Sequence, residues 1–190
     1  SDKEKYSLEE LVSVFDSAGI QKSGAQFDIK KATWINHLHI KEGSTKKIIK
    51  ASGEKFDELV SLFGEEKSNR VISLVKERLN LIVDLQKEVG FFLNSPSSYD
   101  PKVLNKLNKE EALIVLKFCT LAVRVSKDSA AIKEDLFRES TKNEISFGQT
   151  MKTLRLAIVG ALKGPDLFKI VEIIGTGEAL KRINKLTKTL

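Results

Sequence analysis

At 190 residues, 41% hydrophobic and 31% charged, the chain is long enough for one or two packed domains and too apolar for a disordered tail. Its 32 Lys+Arg against 26 Asp+Glu leave a net charge of +6, which leans toward a polyanionic partner. A single cysteine, Cys119, excludes an intramolecular disulfide and a cysteine-based zinc site, and fits a reducing compartment, the cytoplasm or an organelle matrix.

Ser1-Asp2-Lys3-Glu4-Lys5 carries acids and leads into a capped helix, which fits neither a secretory signal nor a transit peptide. No apolar run approaches the roughly 20 residues that a membrane span needs. Ser7-Leu8-Glu9-Glu10 is a capping box, and Leu8, Leu11, Val12 and Phe15 follow at helical spacing. The stretch from 20 to 40 has no clear period and reads as a compact irregular segment anchored by Phe27, Trp34 and Ile35, with Trp34 expected in a core. Short helices follow, with a stop at Gly64.

The longest periodic run covers about 69–93, with Val71, Leu74, Val75, Leu79, Ile82, Leu85, Val89 and Phe92 on one helical arc. Arg78 falls inside that apolar arc, where a solvated arginine does not belong. Asn94-Ser95-Pro96-Ser97-Ser98-Tyr99-Asp100-Pro101 is the turn-rich linker, and it places a domain boundary near residue 94. Asp100-Pro101 and Asn108 with Glu111 open further helices. The second of these helices is apolar nearly all round, from Leu113 to Val123, and is expected in the middle of a bundle. Helices around Ile132 and Leu136, from Phe147 to Leu162, from Leu167 to Ile174, and from Glu178 onward complete the chain. The fold class is all-α, nine or ten helices in two packed groups.

Nearly all the excess charge is local: residues 150–190 carry 8 basic and 3 acidic side chains. A solvated helical face explains that as readily as a phosphate-bearing partner does. Only two histidines exist, His37 and His39, and no acidic or cysteine partner stands at ligand spacing, so no metal site is expected. Cys119 sits in the apolar helix as a core residue, not a nucleophile. No catalytic residue can be named, and Gly160-Ala161-Leu162-Lys163-Gly164 lacks the spacing of a phosphate loop. Gly164-Pro165 is either a tight turn between helices or a close-approach site beside a helix start with free N–H groups.

Phe27-Asp28-Ile29-Lys30-Lys31-Ala32-Thr33-Trp34-Ile35-Asn36 resembles the Phe-Asp-x-x-Lys-Leu-x-Trp-x-Asn segment that follows the catalytic domain of bacterial-type glutamyl-tRNA synthetases. Leu154-Arg155-Leu156-Ala157-Ile158-Val159-Gly160, Gly164-Pro165-Asp166-Leu167-Phe168 and Ile173-Ile174-Gly175 are similar to that family's C-terminal signature, and Ser7 to Leu11 and Lys22-Ser23-Gly24-Ala25 also fit. Ala32, Thr33 and His37-Leu38-His39 depart from the family pattern.

The resemblance implies an all-α, right-handed helical cage of the class I synthetase anticodon-binding type. Residues 1–43 would end the stem-contact region, 44–93 would form one anticodon-binding subdomain and 94–190 a second. The motifs of the catalytic domain are absent, so the chain would be the C-terminal portion of an enzyme that joins glutamate to tRNA with ATP and Mg²⁺, with no cofactor of its own. The implied partner is tRNA(Glu), and in some members tRNA(Gln), with no membrane partner, a cytoplasmic location and a monomeric state.

By the same resemblance Arg78 reads the third anticodon base, while Arg155, Gly164, Pro165 and Leu167 hold the first two. The alternative for Arg78 is an internal ion pair with Asp84 or Glu88. Lys163, Lys181, Arg182 and Lys185 are expected to meet phosphates. From another class comes a second reading, a non-catalytic helical scaffold that binds protein. An enzyme in its own right would need a catalytic constellation that the sequence does not contain.

Overall fold

The computed structural model describes residues 5–19, 24, 26–126 and 128–190. Residues 1–4 and Lys22, Ser23 and Ala25 of the upstream match lie outside the described residues. All regular structure among the described residues is helical. In chain order the α-helices are α1 (Leu8–Val14), α2 (Ile29–Glu42), α3 (Thr45–Ser52), α4 (Glu54–Lys76), α5 (Leu85–Leu93), α6 (Pro101–Leu104), α7 (Lys109–Val125), α8 (Ser129–Lys142), α9 (Phe147–Val159) and α10 (Leu167–Thr189).

Most helix starts are set by short polar side chains that satisfy the otherwise unpaired first N–H groups. Ser7 accepts from the Glu10 N–H while the Glu10 carboxylate accepts from the Ser7 N–H. Asn108 accepts from the N–H groups of Glu110 and Glu111, and Asp28, Asp100, Asp128, Ser146 and Asp166 cap α2, α6, α8, α9 and α10 in the same manner. Gly64 and Gly175, at φ 78° and 80°, kink α4 and α10, as a residue without Cβ allows.

Helices α3 and α5 each pack on α4, while α7, α8, α9 and α10 form a second group, and α10 joins the two by lying against α4 and α5. Buried side chains from Ile40 to Leu186 form one contiguous core across that junction.

Three expectations change. The run over 69–93 is two helices: α4 ends at Lys76, Leu81 is extended, and Asp84 accepts from the Leu81 N–H at 2.9 Å to start a 3₁₀ turn at Ile82–Asp84 that leads into α5. Leu79, Leu85 and Val89 are buried in either arrangement, so the apolar period cannot register the break. Helix α7 is open along one face, with Leu113, Ile114, Leu121 and Val125 exposed, because α8, α9 and α10 cover only its other sides. The segment before α2 is not a compact aromatic anchor. Phe27 is exposed, and Trp34 stands 50% exposed on α2 with its ring 5.9 Å from that of His37. Helix α1 forms from its cap, yet Leu8, Val12 and Phe15 remain uncovered, since no other element of the described chain lies over them.

Candidate nucleic-acid interface

Arg78 stands in the connection between α4 and α5. Its N–H donates to the Val75 carbonyl at 2.9 Å, and the next residue, Leu79, is fully buried, so the backbone is fixed at both sides of the side chain. Helix α2 braces the same connection. The Asn36 amide donates to the Asn80 carbonyl, and His37 Nδ1 lies 2.9 Å from the Leu79 oxygen. A carbonyl oxygen only accepts, so in that contact Nδ1 is the donor. The Arg78 guanidinium uses Nε to donate to Glu88 Oε2 at 2.8 Å, with the two side chains 35% and 17% exposed.

Arg155 projects from α9 and donates from Nη1 to the Pro165 carbonyl at 2.9 Å. Burial lowers its proton affinity, Asp166 raises it in part, and the nearby charge of Arg78 lowers it further. An arginine stays charged through such shifts. Arg78 is therefore near enough for its charge to be felt at Arg155, although the two are far apart in sequence.

The turn between α9 and α10 is shaped by two glycines. Gly160 sits at φ 81°, where a Cβ would lie 2.8 Å from the Ser98 carbonyl, and its own carbonyl accepts from the Asp100 N–H at 2.9 Å. The linker therefore crosses directly over the end of α9. At Gly164 a Cβ would lie 3.1 Å from Arg155 Nη1, so the absence of a side chain leaves room for the guanidinium. Asp166 then caps α10 by accepting from the Lys169 N–H. The arrangement sets an arginine, a close backbone approach and a helix start side by side, with the charge of Arg78 nearby. Such donors suit the edges and phosphates of a single-stranded nucleic acid.

Residues 36–187 match the family described as the anticodon binding domain. The chain belongs to that family. A glutamate–tRNA ligase of Flavobacterium johnsoniae is 37% identical over the whole chain, and one of Porphyromonas gingivalis is 33% identical. The chain spans 38% of the length of each of these curated relatives. A crystal structure of a glutamate tRNA ligase from Elizabethkingia meningosepticum in complex with its amino acid superposes with a TM-score of 0.82 at 30% identity, covering 97% of this chain and 37% of that one.

Within this anticodon-binding-domain member, Arg78, Arg155, Gly164 and Pro165 come together, and the alternative foreseen for Arg78, an ion pair with Glu88, is present as well. Leu167 does not present a side chain to a ligand. It is 1% exposed in the core, leaving only its backbone at the start of α10. Arg182 is the clearest correction. Instead of meeting phosphate it is 1% exposed, donating to the carbonyls of Phe91 at 2.6 Å and Ile158 at 2.9 Å and to Glu178 at 2.8 Å. Lys185 donates to the Pro96 carbonyl at 2.5 Å, so it helps fasten the linker. Lys163 and Lys181 are solvent-facing, the latter 3.6 Å from Glu178.

Three residues of the site carried little signal. Asn36 and His37 act through backbone carbonyls more than forty positions away, and Glu88 could be named only as one of two candidate partners. Cys119 is buried, and that burial pushes its thiol well above the usual range. No group of three or more His, Cys, Asp or Glu side chains able to hold a metal ion occurs among the described residues. Among them, too, no helix is long and apolar enough to cross a membrane.

Proposed function

We propose that this chain is the C-terminal, tRNA-reading portion of a cytoplasmic glutamate–tRNA ligase, with tRNA(Glu) as its partner. The observation that carries the reading is Arg155 held on the Pro165 carbonyl beside Gly164, with Arg78 near enough for its charge to be felt there. Arg78 gives its fork to the third anticodon base, and Arg155 with the turn holds the first two, splayed out as single-stranded RNA is generally read. Residues 1–43 approach the stem, while 44–93 and 94–190 share the anticodon between them. The uncovered apolar faces of α1 and around Trp34 pack against the remainder of the longer enzyme. Glutamate, ATP and Mg²⁺ are handled by that remainder, where the carboxylates and motifs for them would lie.

Titration of the chain with an anticodon stem-loop RNA at several salt concentrations tests this directly. Binding whose affinity falls steeply with salt is expected, and Lys181→Ala flattens the slope by about one unit without altering preference among anticodons. A salt-independent interaction, or none with RNA, would transfer support to a protein-binding scaffold.

A further inference from the structure

The ion pair between Arg78 and Glu88 does more than occupy a charge. A guanidinium has two edges that can give paired hydrogen bonds, one through Nε and one Nη, the other through both Nη groups. Glu88 takes Nε at 2.8 Å, and among the described residues no acceptor meets the Nη groups. The edge that remains is the terminal fork. Glu88 is itself well placed to fix a direction: it sits on α5 between the buried Leu85 and Val89, and its side chain is the less exposed of the pair.

A terminal fork fits two adjacent acceptors on a base edge, and it fits two phosphate oxygens equally well. A second cation, Arg155, is near enough for the two charges to be felt by each other, so this part of the surface attracts phosphate. Selection of a base must therefore come from a group that leaves the donors in place while cancelling their charge. A carboxylate on Nε does both.

We propose that Glu88 is a specificity-determining positioning residue: it aims the Nη edge of Arg78 at an anticodon base and, by its charge, disfavours a phosphate there. The inference rests on the reading that Arg78 meets an anticodon base. Glu88 touches no RNA in this scheme, and its effect passes through Arg78 and through the local potential.

The test uses the chain with stem-loop RNAs carrying each of the four bases at the third anticodon position, and a scrambled single strand of equal length. Glu88→Gln keeps an oxygen for Nε and loses the charge. Affinity for the scrambled strand then rises on the order of fivefold, the size of one partly exposed like-charge interaction at about 6 Å, while third-base discrimination is kept. Glu88→Ala raises non-specific affinity similarly and lowers third-base discrimination about tenfold. Arg78→Ala serves as the control for the underlying reading. If it leaves third-base discrimination intact, the assignment of Arg78 fails and takes this proposal with it. Discrimination lost in Arg78→Ala yet unchanged in Glu88→Ala overturns the role of Glu88 alone. So does a uniform loss of affinity in both Glu88 variants with a lowered melting temperature, the pattern of a merely structural residue.

Discussion

Replacing Arg182 with methionine removes three anchored hydrogen bonds from the middle of the molecule while keeping a long unbranched stem. The Phe91 carbonyl closes α5, the Ile158 carbonyl closes α9, and Glu178 lies one turn back on α10, so this guanidinium ties three helices together. Bonds from a charged donor are each worth about 1.5–3 kcal/mol, and a buried acceptor left without a partner costs about 1–3 kcal/mol. Glu178 retains Ser95 and the Lys181 charge and is 28% exposed, so it recovers water for part of what it loses. Removing one partner of a buried pair typically destabilises by about 3–5 kcal/mol, and we expect about 3 kcal/mol here. For a domain of this size that is a fall in melting temperature of about 6–12 °C, read by thermal or urea unfolding followed by circular dichroism. Below the transition, RNA affinity stays within about twofold of the parent. An unchanged melting temperature with a clear loss of RNA affinity would refute the reasoning and return Arg182 to the phosphate-contacting surface.

Gly160→Ala tests the crossing of the linker over α9: the left-handed φ of 81° and a Cβ 2.8 Å from the Ser98 carbonyl together predict a loss of about 2–4 kcal/mol in urea unfolding, against about 1–2 kcal/mol, from the φ alone, if the linker can move aside. Glu178 gives a pH prediction. Burial opposes its ionisation, but hydrogen bonds from Ser95 and Arg182 and the charges of Arg182 and Lys181 overcome that and hold the carboxylate below its ordinary value of 4.5. A depressed folded-state value means stability that is present above pH 4.5 and lost as pH falls through the lower value. Acid unfolding of Glu178→Gln is then less steep in that window, and a parallel acid profile would contradict the account.

What the sequence makes legible here is local. Ser7, Asn108 and Asp100 announce helix starts because a cap needs only its own next three residues, and each does what its spacing indicates. The Gly164-Pro165 turn and its bond with Arg155 are local in the same sense, lying only ten positions apart. The break after Lys76 is hidden, because the wheel that buries Leu79 and Leu85 in one helix buries them equally in two. Arg182 misleads because it stands among lysines in a basic helix, while the acceptors that bury it are carbonyls 91 and 24 positions away. Trp34 misleads in the opposite sense: a large apolar side chain implies burial, but whether anything lies over it is a question about other elements.

The most direct measurement of the central claim is the affinity of the chain and of Arg78→Ala for anticodon stem-loops that differ only at the third anticodon base. A bidentate arginine contact is worth about 1–3 kcal/mol of discrimination, so the parent should separate its preferred base from the others by roughly 5- to 150-fold. The variant should bind all four within about twofold of one another with its helical content unchanged. Equal discrimination by parent and variant would contradict the account, whatever the affinity of either for RNA.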